Sequence, residues 1–380
     1  MHVLLAVLGG LIVVRTWMSV LATLVVPRRS RDRISRGVLA AVEAGYRLLG
    51  RRIAGYRRRD RLLATQPATM ILLQLLVWLV LFYLGFALLL QALDREGLPS
   101  ALAQAGSSLL TLGYAGPSDA PLTVVDYLAA ASGLVVVALQ IGYLPTLYSA
   151  FNRRETEVTL LIGRAGVPAW GPEILARTRY GFGAEDQGAV LDQFYLGWER
   201  WAADVAESHT NYPVLLRFRS PVSFSSWLVA LVAVLDSAAL WLALAPGRAP
   251  AVECRLALQM GFTALRAIAG TVGIPVDPDP DPDGELQLGF DEYLEGVARI
   301  NSTTFPMERS PEEAWPDFRG WRANYEPIAY ALADRLDAVR APWTGTRRTG
   351  DPLATPVRPA NRRPTPHQPA PPVPTSGQES

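Results

Sequence analysis

The chain has little of what metal-binding and catalytic proteins are built from. Its 380 residues include a single cysteine, Cys254, and three scattered histidines, His2, His209 and His367. One thiol excludes an internal disulfide framework, and three dispersed imidazoles cannot assemble a zinc-type Cys/His site. Lysine is missing altogether. Every basic residue is arginine, which together with abundant Ala, Gly and Pro reflects a GC-rich genome more than a physical demand. The formal net charge is only +1, so no nucleic-acid partner is expected. The sequence holds no paired nucleophile and base, no metal cluster and no phosphate-cradling loop, and it reads as a non-enzyme without a cofactor.

Apolar residues are plentiful. They make up 50% of the chain against 19% charged, more than a soluble protein of this charge content needs. Three segments, 3–26, 68–92 and 122–150, meet the length of roughly 20 apolar residues for a helical span. Between the first two lie twelve arginines against only Asp32, Glu43 and Asp60. The positive-inside rule makes that stretch cytoplasmic. The N-terminus is then outside, and the third span returns Arg153 and Arg154 to the cytoplasm, as expected of a multi-pass protein of the plasma (inner) membrane. A cleaved signal peptide fits poorly, because no basic region precedes the first apolar run and Arg15 interrupts it. Arg15 either snorkels to the interface or finds a partner within the bundle. In the basic linker Leu39, Val42, Tyr46, Leu49 and Ile53 recur at helical spacing. The linker is either an amphipathic segment drawn to anionic lipid of the inner leaflet or a solvated connector.

The gap between the second and third spans reads LTLGYAGPSD over 110–119. Pro99 suits the first turn of a helix, and the following stretch to Leu110 is apolar but too short to cross, so it can only re-enter. Non-helical backbone at membrane depth survives only where it is buried in protein or lines a water-filled cavity. The alternative is a plain extracellular turn, since Gly and Pro commonly punctuate loops. Asp94, Glu96, Asp119 and Asp126 are expected around the outer mouth.

The order span, short helix, Thr-Leu-Gly-Tyr, span resembles the pore module of potassium channels, whose filter reads Thr-Val-Gly-Tyr-Gly-Asp. The resemblance implies that Thr111, Leu112, Gly113, Tyr114 and Ala115 form the selectivity filter, with backbone carbonyls replacing the hydration shell of a permeant potassium ion. Ala115 stands where that family has its second glycine. An L-residue held there in a left-handed conformation costs about 1–2 kcal/mol, or about 4–8 kcal/mol over four subunits. One pore loop per chain implies a homotetramer. Gly133, Gly142 and Pro145 are candidate hinge points of a pore-lining inner helix that bends to gate. The segments 141–155 (IGYLPTLYSAFNRRE), 164–170 (RAGVPAW), 198–213 (WERWAADVAESHTNYP), 225–236 (SSWLVALVAVLD) and 325–336 (YEPIAYALADRL) extend the likeness. They resemble a group of bacterial potassium-channel-like proteins over most of 10–343.

The second half reads as helical. Leu191, Phe194, Tyr195, Trp198, Trp201, Ala202 and Val205 recur at helical spacing, a packed-core stripe rather than a ligand cage. His209 is read as a hydrogen-bonded structural residue, with a pH-sensitive role as the other possibility. The stretch 227–245 is long enough to span, but Asp236 at its centre costs about 2.5–3.5 kcal/mol in lipid, so a buried helix in a cytoplasmic bundle is expected. The run VDPDPDPDG at 276–284 lacks the calcium loop's final glutamate, Phe290 standing there, and reads as an acidic linker. The glycines at 181–186 do not form a nucleotide-binding fingerprint.

The expected architecture is an all-α membrane protein with a potassium-channel-like pore module. Its parts are an N-terminal span (1–27), a basic juxtamembrane linker (28–67), the pore module (68–151), a helical cytoplasmic domain (152–343) and a disordered Pro/Arg-rich tail (344–380). Within the pore module the outer helix is 68–92, pore helix and filter 99–116, and the inner helix 122–150. The expected function is a tetrameric cation channel gated by the inner helix and the cytoplasmic domain, whose ligand or partner the sequence does not reveal. The alternative is a membrane scaffold or signalling protein that keeps the architecture without conducting.

Overall fold

The computed structural model describes residues 2–26, 32–93, 97–116, 120–177, 187–303, 305–344 and 352–357. Asp94, Glu96, Asp119, the run 178–186 and most of the tail lie outside the described residues. Among the described residues every regular element is helical, and β pairing is confined to the isolated bridges Val167–Val357 and Ala341–Thr344. The chain forms two compact units, one of Met1–Asn152 with Ser208–Arg219, the other of Arg153–Glu207 with Ser220–Ser380.

The first unit holds α1 (His2–Leu24), α2 (Arg33–Gly50), α3 (Tyr56–Ala64), α4 (Gln66–Leu93), α5 (Leu98–Leu109) and the first part of α6 (Ala120–Ala165). Small residues let α1 and α4 meet at backbone distance. A Cβ on Gly9 would stand 2.7 Å from the Gly85 carbonyl oxygen, and one on Gly85 would stand 2.8 Å from Val13. This is how membrane helices associate when lipid is as apolar as their side chains. Trp17 packs edge-on against Phe82 at 5.4 Å, above a core of Trp78, Phe86 and Leu90. Asp32 caps α2 by accepting the Ser35 N–H, and the apolar stripe of α2 (Leu39, Val42, Tyr46) packs on Met70, Leu147 and Leu215. These three residues therefore face protein and not a bilayer surface, whereas Leu49 of the same expected stripe is exposed.

Arg15 finds a partner: its Nη2 lies 2.7 Å from Asp32, whose other carboxylate oxygen accepts from the Ser19 hydroxyl at 2.6 Å. Trp78 Nε1 in turn donates to Ser19. Burial pushes the Asp32 carboxyl up, yet the hydrogen bonds from Ser19, Ser35 and Arg15 together outweigh it and leave it below its ordinary value.

The second unit contains the remainder of α6, α7 (Gly171–Arg177), α8 (Gln187–Asn211, to Glu207), α9 (Trp227–Leu244), α10 (Ala251–Val272), α11 (Phe290–Asn301), α12 (Pro311–Ala323) and α13 (Glu326–Leu336). Among the described residues four helices, α1, α4, α6 and α9, are long and apolar enough to cross a membrane, as a membrane protein requires. In α9 every residue is buried within protein, so it has no side chain to offer lipid. Glycines bring its neighbours in close: a Cβ on Gly171 would meet Asp236 at 2.7 Å, and one on Gly261 would meet Leu235 at 2.4 Å.

Asp236 in α9 pairs with Arg322 of α12 and accepts from the Tyr325 hydroxyl at 2.7 Å, while Arg322 also reaches Glu326 at 2.5 Å. A buried charge survives only when paired and hydrogen-bonded in this way. Burial works against the Arg322 guanidinium, but Asp236 and Glu326 hold its pKa well above the ordinary value. The aromatic stripe of α8 is core: Tyr195, Trp198, Trp201, Ala202 and Val205 are buried, with Trp198 and Trp201 rings 4.6 Å apart.

Candidate functional site

The short helix α5 is shaped by its ends. Gly97 enters it with φ +97°, a value glycine adopts freely, and Pro99 sits in the first turn. At its far end the Thr111 N–H bonds the Ser108 carbonyl at 3.1 Å, and the Leu112 N–H bonds the Ser107 carbonyl at 2.7 Å. Those two bonds, with Thr111 at φ +53°, make a Schellman cap. Such a cap ordinarily places glycine at the left-handed position. A β-branched threonine there is strained by roughly 1–2 kcal/mol.

The loop beyond is folded back onto α5. Ser107 Oγ accepts the Ala115 N–H at 3.0 Å and donates to the Ala115 carbonyl at 3.1 Å, and the Tyr114 hydroxyl donates to the Ala103 carbonyl at 3.1 Å. Gly113 takes φ +72°. Ala115 does not adopt a left-handed backbone, so the strain anticipated there falls on Thr111 instead. Thr111, Leu112, Gly113 and Tyr114 are exposed on the single chain, and the Thr111 hydroxyl donates to the Leu110 carbonyl at 2.8 Å.

Two contacts fix α5 against α6. Asp126, expected at the outer mouth, is buried and accepts from Gln104 Nε2 at 2.7 Å and from the Ser108 hydroxyl at 2.6 Å. Seven residues on, a Cβ at Gly133 would stand 2.0 Å from the Leu109 carbonyl oxygen. Gly133 is therefore the point where the end of α5 touches α6, a packing demand separate from any bending. A Cβ at Gly142 would meet nothing within 4 Å. Pro145 lies inside α6, which runs on through it as one helix to Ala165.

The part of α6 around Gly142 and Pro145 is gripped by a segment whose His209 the sequence marked, though not as a contact to α6. Ser208–Arg219 contains the last turn of α8 and a 3-10 turn, Pro213–Arg217. Tyr212 packs edge-on to Tyr143 at 5.5 Å, and Phe218 packs on Tyr148 and Phe151 at 5.9 and 5.3 Å. Arg217 pairs with Glu43 at 2.6 Å and Arg219 with Asp60 at 3.1 Å. His209 in this segment is fully buried, its Nδ1 3.0 Å from the Ser208 hydroxyl. The signal was present in the sequence as Arg217 and Arg219, whose charges need acidic partners wherever they are buried.

Chemically, the arrangement offers backbone carbonyls and hydroxyls at an exposed loop, and among the described residues no cluster of three or more His, Cys, Asp or Glu side chains gathers to hold a metal. The chain matches no family model, no curated protein and no solved structure.

Proposed function

We propose that the protein is a homotetrameric cation channel of the potassium type, conducting passively through backbone carbonyls of Thr111, Leu112, Gly113 and Tyr114. One observation carries this reading: a 12-residue helix too short to cross a bilayer is wedged beside membrane-length helices and presents Thr-Leu-Gly-Tyr, exposed, at its C-terminal end. A single chain has nothing to cover that loop. Four copies around an axis parallel to α6 would turn the loops toward one another, where carbonyls replace ion hydration. The basic linker sets the orientation, with the N-terminus outside and the second unit in the cytoplasm. Ser208–Arg219 is continuous in chain with the second unit on both sides and grips α6 beside Gly142 and Pro145, so it supports gating of α6 by the cytoplasmic domain.

The Schellman cap favours a second reading, a non-conducting scaffold with pore architecture. It occupies the Ser107 and Ser108 carbonyls, and the Thr111 hydroxyl is engaged by the Leu110 carbonyl instead of being left for an ion. Planar-bilayer recording separates the two. Currents whose reversal potential follows the cation gradient support the channel. Silent bilayers containing folded tetramers, in wild type and in a chain whose grip on α6 is loosened by Phe218→Ala, which removes the ring packed on Tyr148 and Phe151, support the scaffold.

A further inference from the structure

The first unit distributes its charges unevenly on α2 and α3. All three acids of this stretch are engaged by arginines from elsewhere: Asp32 by Arg15, Glu43 by Arg217 and Asp60 by Arg219, at 2.7, 2.6 and 3.1 Å. Those pairs take up the acids, and of the stretch's own arginines Arg47 reaches Glu43 only at 4.0 Å. Arg51 and Arg52 at the end of α2, and Arg58 and Arg61 one turn apart on α3, are exposed and have no ion pair among the described residues. Leu48 and Leu49 beside them are 56% and 49% exposed.

The position of this patch decides its partner. The chain leaves α1 at Leu24 and enters α4 at Gln66, both membrane-length apolar helices, so α2 and α3 are tied to a bilayer surface at both ends. Arg61 precedes Gln66 by five residues, about 8 Å along a helix. That is within the Debye length of roughly 8 Å at physiological ionic strength. We propose that Arg51, Arg52, Arg58 and Arg61 form a binding site for anionic phospholipid headgroups of the adjacent leaflet, with Leu48 and Leu49 set at the acyl boundary. Guanidinium groups bind phosphate bidentately, and the negative surface holds them where a zwitterionic one, with no net charge, does not. Leu39, Val42 and Tyr46 of α2 are already packed on protein, so the site grips by charge and not by insertion of an amphipathic helix. The proposal needs α1 and α4 in a bilayer and nothing of conduction. A silent channel leaves it standing, and its failure leaves conduction untouched.

The test is native mass spectrometry of the full-length protein equilibrated with equimolar dioleoyl-phosphatidylglycerol and dioleoyl-phosphatidylcholine. The expected result is preferential retention of phosphatidylglycerol by wild type. Each arginine near an anionic surface is worth roughly a fivefold change in binding, so a chain carrying Arg51→Gln, Arg52→Gln, Arg58→Gln and Arg61→Gln should lose the preference by about tenfold or more. Arg200→Gln with Arg255→Gln, exposed in the second unit, should retain it. Equal retention of both lipids by wild type, or an undiminished preference in the quadruple variant, overturns the proposal. So does displacement of the lipid by sn-glycerol 3-phosphate at matched concentration, which reassigns the patch to free phosphate. If the quadruple variant does not fold, salt serves instead: a wild-type preference unchanged at 1 M salt, where the Debye length is about 3 Å, contradicts a charge-held site.

Discussion

Replacing Gly133 by alanine tests how the Thr111–Tyr114 loop is held. The added Cβ would lie 2.0 Å from the Leu109 carbonyl oxygen and 3.1 Å from its carbon, whereas ordinary contact begins at 3.4 Å. Relief requires the end of α5 to retreat by about 1.4 Å, and both clashing atoms are backbone. Overpacking of a fitted core costs about 1–3 kcal/mol, and the retreat displaces a loop that begins at the next residue, Leu110. We expect Gly133→Ala to lower the melting temperature of the purified protein by several degrees and to reduce or abolish cation flux. Gly142→Ala is the matched control. Nothing lies within 4 Å of its Cβ, and alanine in place of glycine within a helix gains about 1 kcal/mol, so stability should hold or rise. Thermal unfolding and liposome flux of the two variants, measured side by side, decide the matter. Wild-type melting and flux in Gly133→Ala would refute the close contact. Loss of flux in Gly142→Ala alone would instead place the working hinge at Gly142.

Other consequences follow from the charged and buried groups. Arg322→Ala leaves Asp236 and Glu326 buried without their cation and should destabilise the protein by about 3–5 kcal/mol, seen as a large drop in denaturation midpoint; a loss under 1 kcal/mol would contradict the buried pair. Burial pushes the Cys254 thiol far above its ordinary value, so iodoacetamide should label it only after unfolding, and rapid labelling of native protein would show the α10 packing to be wrong. The lowered folded-state pKa of Asp32 contributes stability above its unfolded value near 3.8, which is lost as pH falls through the lower folded value. Asp32→Asn should therefore flatten the acid limb of the melting profile, and an unchanged acid limb would assign that limb to other carboxylates.

What the sequence made legible was whatever depends on local composition. The three spans, the short helix after Pro99 and the aromatic stripe of α8 are each set by an apolar run or a 3.6-residue period; the first two spans and the short helix appear within a few residues of their expected ends, whereas α6 continues past the expected end at 150 to Ala165, through a charged stretch that carries no span signal. Asp236 at the centre of α9 signals a helix enclosed by protein, and every residue of α9 is buried. The partner of Asp236, Arg322, 86 residues away, was not legible, since nothing local couples them. The same reason hid the grip of Ser208–Arg219 on α6 and the pairing of Glu43 and Asp60 with Arg217 and Arg219. At the candidate filter the residue types were readable but the backbone was not: the left-handed position fell on Thr111 rather than Ala115 because the closing hydrogen bonds of α5 determine it. Gly133 looked like a point of freedom in an apolar helix, and only the position of Leu109 reveals it as a point of contact.

The central proposal is conduction through the Thr111–Tyr114 loop, and the most direct measurement is cation flux into liposomes containing the purified protein, potassium against sodium, with Gly113→Asp as the variant expected to block the pathway. The account predicts potassium-preferring flux that Gly113→Asp abolishes. Flux that Gly113→Asp leaves unchanged, or none from folded protein with and without Phe218→Ala, would contradict it.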